Sequence, residues 1–253
     1  LWEARLPYPL HEVPVECTDV SEIEYRLNHG EQLYIKSPWS GSGRGIIDSK
    51  SAPDRQVIRL AHGVIGHQGS VLVEKSLEKM QDFAMLYDIR HGKAIFRGYS
   101  LFYNSGYSAY SGNILLDDAA IKKLLSQYVP EEWLAATETV TGNALENVLR
   151  TDYEGPVGVD MLIYKTERGY NIAPCIEVNL RMTMGRLAHH LYDKFIEEGR
   201  SGDFRLEMLN QDRVRELNES LATAIISNRK LQSGTIPLTP FHNNRFCFTM
   251  TVS

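Results

Sequence analysis

The residue pattern predicts an α+β chain whose sheets are built from antiparallel hairpins, not from regular βαβ alternation. Two strand pairs carry that prediction. Runs at 82–90 and 93–103 flank a tight turn at His91-Gly92, and runs at 157–164 and 170–180 flank a charged turn at 165–169. With 253 residues and 43% apolar content, the chain can bury a large core or build two lobes that share a cleft.

Taken in order, a short helix is expected over 22–28, with Ser21 as its N-cap and Gly30 just past its end. Residues 32–36 read as a strand that runs into Pro38 and a glycine-rich loop. A helix entered through Pro53 covers 52–67, with Val57, Leu60, Ala61, Val64 and Ile65 at helical spacing. An apolar strand follows at 70–74, then a polar connector over 75–81. Past the first hairpin, residues 104–113 are rich in Tyr, Ser and Gly and break all periodicity. Helices are expected at 117–127 and 131–149, the second turning Leu134, Val140, Leu145 and Val148 to a core. After the second hairpin come helices at 186–198 and 211–227, and 234–253 ends as strand and loop returning to the sheet.

Composition narrows the classes. The formal net charge of −5 argues against a dedicated nucleic-acid binder, and 23% charged residues against disorder. No run approaches the roughly 18 apolar residues of a membrane span. Cys17, Cys175 and Cys247 lie far apart with no C-x-x-C pattern, so a cytoplasmic setting without disulfides is expected. The first ten residues carry Glu3, Arg5, Pro7 and Pro9 with no apolar leader, and read like the interior of a longer protein.

Three motifs carry chemistry. In I-E-V-N-L-R (176–181), strand alternation puts Glu177, Asn179 and Arg181 on one face and leaves Ile176, Val178 and Leu180 to anchor a core. A carboxylate, an amide oxygen and a guanidinium suit Mg²⁺ and phosphate, although an ordinary half-exposed strand has the same alternation. In K-S-P-W-S-G-S-G-R-G (36–45), Gly41, Gly43 and Gly45 let backbone N–H groups approach an anion. Ser40 and Ser42 add hydroxyls, while Lys36 and Arg44 add charge; a plain flexible loop is the alternative. In V-G-V-D-M-L-I-Y (157–164), Asp160 interrupts an apolar strand, where a lone buried charge is costly unless paired or metal-bound. If the second hairpin forms, Asp160 sits beside Glu177, and a divalent cation relieves their repulsion.

Together with V-L-V-E-K-S-L (71–77), these motifs, in this order and spacing, resemble the ATP-grasp superfamily from about residue 33 to about 186. The resemblance implies an ATP-grasp fold, two α+β lobes with ATP held between antiparallel sheets. It divides the chain into an N-terminal lobe, 1–70, with the phosphate loop, and a C-terminal lobe, 71–253, with hinge, metal site and extension. It implies that Lys36 contacts the phosphates, that Ser40, Gly41, Ser42, Gly43, Arg44 and Gly45 close over them, and that 71–77 is the hinge strand. Glu74, Lys75 and Leu77 would then lie at the adenine. Asp160, Glu177 and Asn179 would hold Mg²⁺ or Mn²⁺, with Arg181 stabilising the transferring phosphoryl group. Two departures stand out. The ribose carboxylate of the family could only be Glu78 or Asp82, and Ala84 stands where some members have Glu. A further basic phosphate contact and a small preceding domain would lie upstream of residue 1.

The implied activity is an ATP- and Mg²⁺-dependent carbon–nitrogen ligase that activates a carboxylate as an acyl-phosphate. Its partners would be small-molecule or peptide-like carboxylates and amines. A kinase on the same fold, or a nucleotide-binding module without turnover, fits the same residues. Arg97, Tyr99, Tyr103, Asn104, Tyr107, Tyr110 and Asn113 are candidates for binding an acceptor through hydroxyl and aromatic contacts. His189-His190 reads as a helix-surface pair and Cys175 as a buried thiol. Oligomeric state is not legible in the sequence.

Overall fold

Alternation along β2 (Leu33–Lys36) sets up the smaller of two sheets: Leu33 and Ile35 are fully buried, while Tyr34 and Lys36 turn to the opposite face. The computed structural model describes residues 5–39, 45–104, 110–242 and 244–252. β2 pairs with β3 (Ile46–Asp48) and β4 (Val71–Lys75), and β1 (Val15–Cys17) completes an antiparallel sheet in the order β1-β4-β2-β3. Val71 and Val73 join Leu33 and Ile35 on the buried face. There α1 (Ser21–Asn28) and α2 (Asp54–Gln68) cover them with Ile23, Leu27, Val57 and Ala61. Each of the larger side chains contributes about 1.5–3 kcal/mol by leaving water. Val71–Lys75, which opens the second segment of the expected division at residue 70, is thus hydrogen-bonded inside the first sheet. Ser21 is not an N-cap: it is the first helical residue, and its hydroxyl bonds Asp19 instead.

The second sheet has nine strands, in the order β11-β12-β13-β10-β7-β6-β5-β8-β9. β5 (Glu78–Arg90) and β6 (Lys93–Asn104) form the first expected hairpin, and positive φ at both His91 and Gly92 makes the turn. β8 (Gly155–Thr166) and β9 (Gly169–Asn179) form the second. β5 begins at Glu78, so the connector after β4 is shorter than expected. Phe83, Met85, Tyr87 and Ile89 alternate to one face with Val157, Val159, Met161 and Ile163. α3 (Asp118–Leu125) and α4 (Glu131–Leu149) close that core with Ile121, Leu125, Leu134 and Leu145. Val148 is 77% exposed, not in the core, because it lies on the outer face of α4. The start of the chain packs here too: Tyr8 sits in this core with its hydroxyl 2.7 Å from Thr137 Oγ1.

The C-terminal third extends the sheet. β7 (Tyr110–Leu115) replaces part of the expected loop by pairing with β6. α5 (Met184–Phe195) packs on a third cluster with Leu115, Phe204, Met250 and Val252. β10 (Gly202–Met208), unforeseen from the sequence, lies between β7 and β13 (Phe246–Val252). α6 (Gln211–Thr223) ends before Ser227 because Ile225–Ser227 forms β11, pairing with β12 (Lys230–Pro237). Among the described residues, no helix is long and apolar enough to cross a membrane.

Candidate active site

The faces that the two cores leave open look onto one cleft of about 800 Å³. From the small sheet it receives Tyr34, Lys36, Ile46, Asp48, Leu72 and Glu74, the alternate residues that do not enter the core. From the large sheet it receives Asp82, Ala84, Ser100, Phe102, Asp160, Leu162 and Glu177 for the same reason. Strand register arranges part of that floor as a row: Glu177 faces Asp160, Asp160 faces Ala84, and Ala84 faces Ser100.

Lys36, Glu74, Lys75, Leu77, Asp82, Asp160, Glu177, Asn179 and Arg181 all line this cleft, although 145 residues separate the first from the last. Ser40, Gly41, Ser42, Gly43 and Arg44 lie outside the described residues. Gly45, with φ of 70°, accepts hydrogen bonds at its carbonyl from Ser37 N (3.2 Å) and Ser37 Oγ (3.0 Å). It does not line the cleft.

Lys36 and Glu74 project from adjacent strands and form an ion pair, with side-chain exposures of 22% and 10%. Asp160 is the most perturbed carboxylate. Burial, followed by the facing Glu177, pushes its pKa up to about 7, against the pull of Arg181 and of the Asn179 hydrogen bond. Asn179 is the bridge: its Nδ2 donates to Asp160 Oδ2 at 3.2 Å, and its Oδ1 accepts from Arg181 Nη2 at 2.7 Å. The amide oxygen keeps a second lone pair. Among the described residues no three His, Cys, Asp or Glu side chains form a metal cluster. The donor set is two carboxylates and one amide, all hard oxygens, which fits Mg²⁺ sharing its remaining positions with water and phosphate. Asp82 accepts from Lys79 Nζ (2.7 Å) and Asn104 Nδ2 (3.0 Å) at the mouth of the same floor.

The I-E-V-N-L-R strand differs from expectation on its second face. Val178 and Leu180 are 44% and 45% exposed, and Ile176 lines the cleft. β9 is the edge of the sheet, and its first half enters the α3–α4 core through Ile172, whereas Val178 and Leu180 do not. A bulge contributes: Pro174, Cys175 and Ile176 stand opposite Met161 alone, between the pairs Leu162–Ala173 and Asp160–Glu177. Proline suits such a position because it has no N–H to leave unpaired. Beyond β9 the chain crosses the floor, and Thr183 caps α5 by accepting from Arg186 N at 3.2 Å. Two glycines permit that crossing. A Cβ on Gly158 would meet Thr183 Cγ2 at 2.7 Å, and one on Gly185 would collide with Ser100.

The candidates for acceptor binding divide. Asn104 and Tyr110 line the cleft. Arg97 is held by Asp88 (2.8 Å), Tyr99 is buried against Glu138, and Tyr103 bonds Asp203 (2.9 Å) beneath Arg205. Tyr107 lies outside the described residues. Ser100, Phe102 and 183–185 were missed by the sequence reading. Period-two alternation from Ala84 and its partner strand would have pointed to Ser100, but a lone serine carries no signal of its own.

No protein-family model matches the chain, and no curated protein sequence does. Solved structures do. The biotin carboxylase of Campylobacter jejuni, in complex with β-γ-ATP, superposes with a TM-score of 0.54. Identity is 9% over 97% of this chain and 59% of that one. The fold is ATP-grasp. The ATP-grasp match extends to the biotin carboxylase domain of the Hydrogenobacter thermophilus 2-oxoglutarate carboxylase, with MgADP, ADP and bicarbonate. There the TM-score is 0.53 at 13% identity, over 98% of this chain and 59% of that chain. The carboxyaminoimidazole ribonucleotide synthase of Aspergillus clavatus with ATP gives 0.52 at 13% identity, over 97% and 64%. The chain therefore spans about three-fifths of the length of these ATP-grasp structures.

Proposed function

We propose that this chain is the nucleotide-binding part of an ATP- and Mg²⁺-dependent ligase that activates a carboxylate as an acyl-phosphate for attack by an amine. The observation that carries the reading is the Asp160–Glu177 pair, set with Lys36 and Arg181 in one cleft of an ATP-grasp fold. Two facing carboxylates, one with a raised pKa, are poorly matched to each other and well matched to a divalent cation. The similar structures that hold ATP or MgADP support the choice of nucleotide and metal.

A free carboxylate is a poor acyl donor because its leaving group is oxide; phosphorylation supplies a good one, so the protein need only position groups and balance charge. In this reading Lys36 neutralises phosphate oxygens, and Ser40 to Gly45 cover them. The backbone of 75–77 meets the adenine edge, and Asp82 meets the ribose hydroxyls. Asp160, Glu177 and Asn179 would hold Mg²⁺ or Mn²⁺, which when bound would neutralise phosphate charge. Arg181, tethered through Asn179, steadies the charge that develops on the transferring phosphoryl group. The partners are small carboxylates and amines, with neither nucleic acid nor membrane engaged, in the cytoplasm.

ADP release tests the reading, measured with Mg·ATP against pools of carboxylates, amines and alcohols. Release that requires both an acid and an amine is the expected result. Release driven by an alcohol alone would make the protein a kinase, and binding of Mg·ATP without release under any pool would make it a module without turnover.

A further inference from the structure

We propose that Ser100 and Tyr110, locked by Asn113, form the recognition end of this cleft and select an amino acid, a substrate with an acceptor oxygen beside an N–H donor. The proposal rests on the ligase reading above. Asn113 is 0% exposed, and its orientation is fixed by a group that can only accept: Nδ2 donates to the Leu101 carbonyl at 2.9 Å. The second N–H of Nδ2 goes to Ser100 Oγ at 2.6 Å, and Oδ1 accepts from the Tyr110 hydroxyl at 2.5 Å.

This arrangement fixes the polarity of both hydroxyls. Ser100 has accepted a hydrogen bond, so its own O–H remains to donate; Ser100 is 3% exposed, lines the cleft, and has no acceptor for that proton among the described residues. Tyr110 has spent its proton on Asn113 and presents lone pairs. Burial raises the Tyr110 pKa, so the phenol stays neutral. One donor and one acceptor are therefore held together by a single amide. Ser100 stands on the Glu177–Asp160–Ala84 row: it is two strands from Asp160, about 10 Å at ordinary strand spacing. The Ala84 methyl between them leaves the floor low, and Phe102 and Met184 border it with apolar surface. A ligand lacking either half of the match leaves a polar group unpaired, which is how such a site discriminates. An amino acid offers a carboxylate oxygen to Ser100 and an amine to Tyr110, whereas an unsubstituted acid offers only the oxygen.

The alternative is that Asn113 merely staples β7 to β6. The test measures ADP release by the full chain with Mg·ATP and a pool of L- and D-amino acids, and separately with acetate, propionate and butyrate, each supplied together with ethylamine. Ser100→Ala and Tyr110→Phe are compared with wild type, with nucleotide affinity followed by calorimetry and folding by thermal melting. Stimulation by amino acids is expected. Each variant should raise the KM for the stimulating amino acid about tenfold, the scale of one hydrogen bond, with the Kd for Mg·ATP within about twofold. If melting temperatures fall while KM stays put, the network is a staple and the proposal is overturned. Equal stimulation by the unsubstituted acids, or none by amino acids while Mg·ATP binds, overturns it and leaves the ligase reading standing. Absence of Mg·ATP binding removes both.

Discussion

At the scale of single residues, Asp160 is held in a conflict that function would explain. Its pKa of about 7 lies above the ordinary carboxylate value of 3.8, so between these values the folded state binds a proton that the unfolded state lacks. The resulting stability is fully present below the unfolded value and is lost as pH rises through about 7. Asp160→Asn should therefore melt higher than wild type at about pH 8 in EDTA, with a smaller difference at about pH 4. In the proposed reading the same substitution removes a metal ligand and should cut Mg²⁺-dependent ADP release at least about 100-fold. A second pair gives a separable expectation. Lys36→Met should weaken Mg·ATP binding about tenfold and also destabilise the fold by about 1 kcal/mol, leaving the nearly buried Glu74 unpaired. Adding Glu74→Gln should restore the melting temperature but not the affinity. Calorimetry and melting on the same three proteins separate the two effects.

At the scale of elements, α5 is where the cleft floor meets the C-terminal strands, and it is braced by charge. His189 Nε2 lies 3.3 Å from Asp118 Oδ2 at the start of α3, His189 Nδ1 lies 3.2 Å from Asp193, and Arg186 reaches Asp88 on β5 at 3.4 Å. The hydrogen bond that Asp118 accepts from His189 raises the His189 pKa, opposed by burial and by Arg186. That contribution is fully present below the unfolded histidine value of 6.5 and is lost as pH rises through the folded value. Melting temperature should fall as pH rises above about 6.5, and His189→Gln should flatten that part of the profile. Gly98 makes room for the brace, because a Cβ there would collide with Asp118 and with His189, and its φ is 124°. Gly98→Ala should cost at least about 2 kcal/mol in urea unfolding. The sequence marked 189–190 only as a surface pair of histidines. His189 is instead largely buried between two acidic residues, and nothing local to 186–190 could have announced a partner 71 residues upstream.

For the whole molecule, the two sheets have independent cores, and the cleft between them takes side chains from both. A ligand that touches both sheets stabilises them together. Saturating Mg·ATP at about 100 times its Kd should add about 2.7 kcal/mol, or about 5–10 °C in melting temperature for a chain of this size. An unchanged melting temperature in a scan with and without Mg·ATP would count against nucleotide binding in the cleft. The same two-sided construction explains why Lys36 and Glu74 both influence the burial-raised pKa of Cys175 on β9, across the gap.

Much of this was determined by the sequence itself, because the relevant physics is local. Period-two alternation placed Glu177, Asn179 and Arg181 on one face, the interruption of an apolar strand singled out Asp160, the His91-Gly92 turn set the register of the first hairpin, and the motif order resembles ATP-grasp. What alternation cannot supply is what covers a face or lies opposite it. That Val178 and Leu180 lie at a sheet edge, that β10 inserts between β7 and β13, and that Ala84 and Ser100 continue the Asp160–Glu177 row all depend on pairings between distant segments. Those pairings are chosen by which assembly buries the most apolar surface with its backbone hydrogen bonds satisfied, a property of the whole chain that no short stretch of residues contains.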